Sequence, residues 1–128
     1  MRALLDTQAS LWWITDSELL SLRAREVIAG SGSELFFSAA SAWEIAIKAQ
    51  RGRLQLPDRP GRFIPEQLSL NAFDPLPVEL SHALQVYHLP DHHRDPFDRL
   101  LVAQSQLEDL PILTSDPQFS RYGVQVIW

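Results

Sequence analysis

The sequence predicts an α/β fold: a three-layer α/β/α sandwich around a central, mostly parallel sheet of four to five short strands. Short apolar runs alternate with longer segments of helical periodicity, which is typical of a parallel sheet covered by helices on both faces. No repeat, low-complexity tract or linker divides the 128 residues. Residues 1–128 are therefore expected to form a single domain.

The first half of the chain carries two apolar runs and four segments of helical character. The runs at residues 2–5 and 35–37 are short and uncharged at their centres, which favours buried strands. Asp16 is expected to cap the second helix with its side-chain oxygen. The helices are expected at residues 7–14, 18–29, 41–51 and 63–70.

The second half begins with a strand that its prolines confine to an edge of the sheet. Pro75 and Pro77 remove backbone N–H donors around residues 73–76, and a central strand needs those donors. A helix, a loop, a second helix and two short strands follow. These elements are expected at residues 79–87, 90–96, 97–107, 112–113 and 124–127.

Composition limits the classes of function. The chain contains no cysteine, which excludes disulfides and cysteine-based metal or nucleophile chemistry. No apolar run approaches the roughly 18 residues of a membrane helix, and Asp6 interrupts the N-terminal apolar stretch too early for a signal peptide. We therefore expect a cytoplasmic, soluble protein without a membrane partner.

The formal net charge of −5 counts against binding nucleic acid by overall attraction. A local basic stretch opposes this, and one or two divalent cations would cancel much of the negative excess. The basic stretch contains Lys48, Arg51, Arg53, Arg59 and Arg62.

Four acidic residues follow the ends of predicted strands. Asp6 comes directly after the first strand, and Asp116 follows the strand at 112–113. Glu44 and Asp98 lie in helices that begin close to the same edge. The carboxyl ends of parallel strands meet at one edge, so the four carboxylates are expected to converge there. Converging carboxylates repel one another and usually hold a divalent cation.

Each acid also has a purely structural interpretation. Asp6 can cap the helix that follows it, and Asp116 precedes a proline in the same manner. Glu44 precedes Lys48 by four residues, the spacing of a helix ion pair worth about 0.2–0.5 kcal/mol. Asp98 lies near the positive end of a helix dipole. Capping accepts Ser, Thr and Asn as readily as Asp, so it does not require four acids at one edge.

The histidines and tryptophans do not indicate a second metal site. Pro90 separates His88 from His92 and interrupts the helix that zinc-ligand spacing would need, so zinc is not expected. His93 is expected to line the rim of the acidic site or to hydrogen-bond its loop. The tryptophans are expected in the core or at a subunit interface, with nucleobase stacking as the alternative; they are Trp12, Trp13 and Trp43.

Four segments, in order, resemble the motifs of PIN-domain nucleases. They read LLDT at residues 4–7, SAASAWEI at 38–45, HRDPFDRLL with AQ at 93–104, and LTSDPQF at 113–119. The resemblance covers nearly the whole chain and is closest to VapC-type ribonuclease toxins of type II toxin–antitoxin pairs. Gln8 departs from the pattern, because close relatives often carry His there. This departure is expected to affect substrate contacts at the rim more than metal binding.

The resemblance implies a metal-dependent endoribonuclease. Its catalytic, metal-holding quartet would be Asp6, Glu44, Asp98 and Asp116, with Mg²⁺ or Mn²⁺ as the cofactor that activates water and stabilises phosphate charge. The hydroxyl of Thr114 or Ser115 would orient the site. Further support is expected from Arg94, Asp95 and Arg99. Candidate phosphate contacts are Arg94, Arg99, Lys48 and Arg51.

The resemblance also implies partners. A toxin of this kind is inhibited by a cognate antitoxin, whose arginine can enter the acidic pocket as a false cation. Homodimers are common in the family, and the first two helices offer an apolar surface for one. Alternatives are a noncatalytic PIN-like module that binds RNA or protein, a non-toxin PIN nuclease in RNA processing, and a phosphohydrolase with an Asp nucleophile. Gln8 disfavours the last, because such enzymes carry a second Asp at this position. The RNA that is cleaved has no readable signature.

Overall fold

Five parallel strands form the central sheet in the order β3-β2-β1-β4-β5. The structure is a computed structural model that describes residues 1–128. The predicted α/β class and the edge position of β3 are confirmed. The strands are β1 (Arg2–Leu5), β2 (Glu34–Ser38), β3 (Phe73–Leu76), β4 (Ile112–Leu113) and β5 (Val126–Ile127).

Six α-helices connect the strands. None of them combines the length and the apolar character that crossing a bilayer requires. Short 3-10 helices extend from Val86 to His88 and from Pro117 to Tyr122. The α-helices are α1 (Thr7–Ile14), α2 (Leu22–Ala29), α3 (Ala39–Gln50), α4 (Pro60–Asn71), α5 (Leu80–Gln85) and α6 (Pro96–Glu108).

Different helices cover the two faces of the sheet, because successive side chains of a strand point to opposite faces. On β1, Ala3 and Leu5 belong to one buried cluster and Leu4 belongs to the other. The first cluster includes side chains from α1, α2, α3 and α4. The second includes side chains from α6 and from the 3-10 helix at Pro117–Tyr122. The three predicted layers are therefore confirmed.

β1 is the central strand, and the strand order reverses beside it. β2 and β3 extend the sheet on one side, whereas β4 and β5 extend it on the other. Parallel pairing aligns Leu5 with both Phe37 and Leu113. The segments that follow β1, β2 and β4 thus leave the sheet at one edge, and ligand crevices of open α/β sheets lie where the strand order reverses at this edge.

The predicted start of the second helix was wrong. α2 begins at Leu22, and Ser21 caps it by accepting a hydrogen bond from the Ala24 N–H at 3.0 Å. Asp16 instead adopts a left-handed backbone with φ of 52°. Its carboxylate accepts a hydrogen bond from Arg25 at 2.8 Å. Either residue type can cap a helix, and only the chain path decides between them.

Three further boundaries differ from prediction by a few residues. α3 begins at Ala39 because the Ser38 hydroxyl accepts the Ala40 N–H. α4 begins at Pro60, three residues before its predicted start at residue 63, because the fixed φ of proline suits the first helical position. β5 is shorter than predicted, since its partner β4 has only two residues to pair with. Trp43 does not join the core, because its side chain is 58% exposed on α3.

We predict that Phe37→Ala lowers the free energy of unfolding by about 3–5 kcal/mol, because the Phe37 ring is 1% exposed in the first cluster. Leu70→Ala is the matched control, since Leu70 is 74% exposed on α4, and it should change stability by less than about 0.5 kcal/mol. Urea denaturation followed by tryptophan fluorescence measures both. A Phe37→Ala protein as stable as wild type would contradict the buried position of the ring.

Candidate active site

A cavity of about 350 Å³ opens at the carboxyl ends of the central strands. Three of the four predicted acids line it, namely Asp6, Glu44 and Asp98. Asp95 also contributes to the wall. Asp116 does not, but it lies close enough to Asp6 for its charge to raise the pKa of that carboxyl. The structure therefore brings three acids into one cavity and leaves the fourth near Asp6 but outside the cavity lining.

Asp6 leaves the end of β1 and is 8% exposed. One carboxylate oxygen accepts the Ala9 N–H at 2.6 Å and caps α1, while the other accepts the Thr114 hydroxyl. The pKa of Asp6 is raised to about 6, chiefly by burial and also by the nearby charges of Asp116 and Glu44, although its two hydrogen bonds lower it. Capping and membership of the acidic site are thus compatible roles for this residue.

Thr114 links the ends of two strands. It follows β4, is fully buried, and donates its hydroxyl to Asp6. The same hydroxyl oxygen accepts the Asp116 N–H at 3.1 Å. Ser115 is exposed at the surface. Of the two hydroxyls considered from sequence, the one in contact with the acidic site is that of Thr114.

Glu44 projects from α3 with only 6% of its surface exposed. Its Oε2 accepts a hydrogen bond from Lys48 Nζ at 2.6 Å, so the ion pair expected from their spacing is present. The Lys48 side chain is about half exposed, and both residues line the cavity. The ion pair thus forms part of the cavity wall, where it balances one of the acids.

Asp98 lies in the first turn of α6. Asp95 caps this helix by accepting the N–H groups of Phe97 at 2.8 Å and Asp98 at 3.2 Å. No hydrogen bond stabilises the charged form of the Asp98 carboxyl. Burial, followed by the charge of Asp95, raises its pKa to about 7, although His93 opposes the shift. Asp98 is therefore the least compensated acid of the site.

Gln104 fixes α6 relative to the sheet. Its side chain is fully buried, accepts the Ser38 hydroxyl at 2.6 Å and donates to the Pro77 carbonyl at 3.1 Å. Ser38 ends β2 and caps α3, the helix that carries Glu44. Through these bonds the helices bearing Glu44 and Asp98 share one buried anchor. Sequence reasoning placed Gln104 in a motif without assigning it this role.

Asp116 is held by two protein donors. Its Oδ1 accepts the Gln118 N–H at 2.9 Å, and its Oδ2 lies 2.8 Å from Nε2 of His93. The other His93 nitrogen, Nδ1, lies 2.8 Å from the Tyr122 hydroxyl oxygen. His93 was expected at the rim of the site or in a hydrogen bond with its loop, whereas the structure places it against Asp116 of a different segment.

The basic residues of the site differ from those expected. Lys48 lines the cavity as anticipated, and Arg53 lines it in place of Arg51. Gly52, with φ of 70°, turns the chain back after α3 and brings Arg53 to the wall. Arg94 is exposed away from the cavity wall.

Contrary to the expectation from the sequence, Arg99 is not placed to contact a substrate phosphate. Its guanidinium donates to the backbone carbonyls of Val86, Leu89 and Pro90. It thereby fastens the segment before α6 and does not reach the cavity wall. Gln8, the residue that departs from the family pattern, does line the cavity, as do Thr7 and Leu54. Arg53 belongs to the basic stretch that the sequence shows. The turn at Gly52 decides that Arg53, and not Arg51, reaches the cavity.

The acidic side chains have the oxygen ligands that a divalent cation needs. Their arrangement in this structure does not form a complete coordination site. No three His, Asp or Glu side chains are gathered closely enough to form a ready ligand set. Glu44 is engaged by Lys48, and Asp116 by His93. Carboxylate oxygens are nevertheless the donors that Mg²⁺ and Mn²⁺ prefer. The raised pKa values mean that the charged form is only partly compensated in Asp6 and least compensated in Asp98, and a cation would supply the missing positive charge.

Known proteins share both sequence and fold with this chain. Ribonuclease VapC16 from Mycobacterium tuberculosis is 33% identical over 58 residues, which are 45% of this chain and 41% of that protein. The matched region is therefore less than half of that relative. The fold matches VapBC2 from Rickettsia felis, solved with a DNA fragment from the promoter, with a TM-score of 0.71 at 10% identity over 98% of this chain and 97% of the other.

A toxin-antitoxin complex from Klebsiella pneumoniae has the same fold, with a TM-score of 0.60 at 16% identity, over 89% of this chain and 86% of the other. At these identities the two structures establish the fold. The family model described as PIN domain matches residues 3–125. Since this match spans nearly the whole chain and includes the four acidic residues, the chain belongs to the PIN domain family.

Proposed function

We propose that this protein is a metal-dependent endoribonuclease that hydrolyses RNA phosphodiester bonds and acts in the cytoplasm as the toxin of a type II toxin–antitoxin pair. One observation carries the proposal: Asp6, Glu44 and Asp98 leave three different elements and line one cavity that also contains Lys48 and Arg53. Membership of the PIN domain family and the partial match to a ribonuclease support the choice of reaction.

The cavity residues divide into two groups by charge. Asp6, Glu44 and Asp98 would hold Mg²⁺ or Mn²⁺, with Asp116 as the outer member. Such a cation, when bound, lowers the pKa of a coordinated water and stabilises negative charge on the phosphate. Lys48 and Arg53 would contact substrate phosphates, which positions RNA without selecting its sequence. Thr114 would keep the Asp6 carboxylate in place through its hydroxyl.

The pKa values of the metal-free protein give this proposal a thermodynamic signature. The pKa of Asp98 rises from an ordinary value of 3.8 to about 7, chiefly by burial. A raised folded-state pKa means that folding favours the protonated form. The resulting contribution to stability is fully present below pH 3.8 and is lost as pH rises through about 7. At neutral pH the ionised carboxylate therefore destabilises the metal-free fold.

We predict that Asp98→Asn raises the melting temperature of the metal-free protein at pH 8 by about 2–5 °C, because it removes a buried, uncompensated charge. The gain should shrink as pH falls to 4, where the wild-type carboxyl is protonated in the folded state. Circular dichroism melts in EDTA measure it. Asp91→Asn, at an exposed position before the same helix, should show no such pH-dependent gain.

The same melting experiment with added Mg²⁺ tests whether the site binds a cation. Added Mg²⁺ should raise the melting temperature of the wild type at pH 8, and by less in Asp98→Asn, since a ligand that binds the folded state stabilises it. If Asp98→Asn instead melts below the wild type at pH 8 in EDTA, the raised pKa of Asp98 does not describe this site.

We predict that Asp6→Asn reduces Mg²⁺-dependent cleavage of RNA by at least about 100-fold, because it removes a ligand charge from the cavity. The fold should persist, since the Asn side-chain carbonyl can still accept the Ala9 N–H that caps α1. Cleavage of a mixture of synthetic RNAs by pure protein provides the measurement, with EDTA as the blank. Asp74→Asn, exposed on the edge strand β3, is the matched control and should cleave normally. Full Mg²⁺-dependent activity in pure Asp6→Asn protein would refute the assignment.

We predict that expression of the wild type arrests bacterial growth, that Asp6→Asn does not, and that co-expression of a cognate antitoxin restores growth. An antitoxin arginine can form a paired hydrogen bond with a cavity carboxylate and exclude the cation. Colony counts after induction give the readout. RNA cleavage in vitro without growth arrest would favour a non-toxin nuclease in RNA processing, and absence of cleavage would favour a noncatalytic binding module.

The proposal includes a homodimer. Leu19 and Leu22, just before and at the start of α2, are 66% and 79% exposed. Exposed apolar side chains such as these are suited to burial between two copies. The partner set proposed for this protein is thus an RNA substrate, an antitoxin and a second copy of the chain.

A further inference from the structure

Both ring nitrogens of His93 contact side chains outside the cavity lining, namely those of Asp116 and Tyr122. Its side chain is 8% exposed. Nε2 lies 2.8 Å from Asp116 Oδ2, and Nδ1 lies 2.8 Å from the Tyr122 hydroxyl oxygen. The ring also stacks on Tyr122 at 5.5 Å and packs at 4.8 Å against Phe119. Packing alone would be served by an apolar ring, so the two polar contacts call for a separate explanation.

The direction of the hydrogen bonds follows from what each group can donate. An ionised Asp116 only accepts, so Nε2 of His93 must donate to it. In the neutral tautomer with its proton on Nε2, Nδ1 carries the lone pair and accepts the Tyr122 hydroxyl proton. The hydrogen bond from Nε2 orients the Asp116 carboxylate, and it forms with the neutral or the protonated ring.

The same chain of bonds reaches the cavity. The backbone N–H of Asp116 donates to the Thr114 hydroxyl oxygen at 3.1 Å, and that hydroxyl donates to Asp6. The contacts therefore run from Tyr122 through His93, Asp116 and Thr114 to Asp6. They join the loop before α6, the 3-10 helix at Pro117–Tyr122 and the ends of β4 and β1.

We propose that His93 is a positioning residue for the cation site: it orients the Asp116 carboxylate and, through Asp116 and Thr114, steadies Asp6. The proposal rests on the proposed function, because it concerns the cation that the acids would hold. Groups that orient ligands in this manner typically affect metal affinity by about 10–100-fold. Tyr122 extends the same effect by fixing which nitrogen of His93 carries the proton.

The test is calorimetric titration of the whole protein with MnCl₂, in the absence of RNA. His93→Phe keeps a ring in the same packing and removes both polar contacts, so it should weaken Mn²⁺ binding by about 10–100-fold. His93→Gln can place an amide N–H near Asp116 and should recover most of the affinity. In an Asp116→Ala background, His93→Phe should cause little further loss, because the two side chains act as one unit.

Three outcomes would overturn the proposal. These are unchanged Mn²⁺ affinity in His93→Phe, an equal loss in His93→Gln, and an equal loss in the Asp116→Ala background. If His93→Phe does not fold, Tyr122→Phe decides instead: loss of one neutral hydrogen bond should weaken Mn²⁺ binding by about 3–10-fold, and unchanged affinity would reject the role.

The binding experiment separates this proposal from the proposed function. If the wild type binds Mn²⁺ with the expected dependence on His93 but cleaves no RNA, the proposed reaction fails and the positioning role stands. If the wild type does not bind Mn²⁺, both fail. Steady-state cleavage adds a second readout, since a positioning defect should lower kcat more than it changes KM for the RNA.

Discussion

Parallel pairing of β1 with β2 on one side and β4 on the other is the constraint on which the candidate site depends. It aligns the last residues of three strands, so that Asp6, Ser38 and Thr114 emerge next to one another. Ser38 then caps α3, and Thr114 bonds to Asp6. If the pairing shifted by one residue, the side chains that leave the sheet would face the opposite layer. The acidic cavity is therefore a direct product of strand register.

Gathering carboxylates in a buried place costs free energy, and the molecule compensates each acid differently. Asp6 receives two hydrogen bonds, Glu44 receives a lysine, and Asp116 receives His93 and a backbone N–H. Asp98 receives none, and its pKa rises furthest. These arrangements explain why Asp6, Glu44 and Asp98 line one cavity without forming a ready ligand cluster. The protein has supplied local partners for every acid except one, which marks Asp98 as the position with most to gain from a cation.

Several structural and functional interpretations of the same residue turned out to be compatible. Asp6 caps α1 with one oxygen and faces Thr114 with the other. Glu44 forms its helix ion pair and still lines the cavity. Asp95 caps α6 and repels Asp98. A carboxylate has two oxygens and about four acceptor directions, so a single hydrogen bond does not exhaust it. Evidence for a cap was therefore never evidence against a role in the site.

Local chemistry was enough to predict the alternation of strands and helices, the edge position of β3 and the sites where acids follow strands. Proline geometry, apolar periodicity and capping preferences act over a few residues, which makes them readable from sequence. Where two residues of similar chemistry could fill the same role, the sequence did not show which of them does so. Ser21 caps α2 in place of Asp16, and Arg53 reaches the cavity in place of Arg51. In each case both candidates have suitable chemistry, and the path of the chain selects one.

The sequence by itself therefore determined the fold class, the family motifs and the acidic character of one sheet edge. Only the tertiary structure decided that Arg99 binds backbone carbonyls and that His93 meets Asp116, because these contacts join residues 9 or more positions apart. Sequence separation alone does not show which distant residues come into contact. They depend on how α6 docks through Gln104 and on how the 3-10 helix returns Tyr122 to the same place.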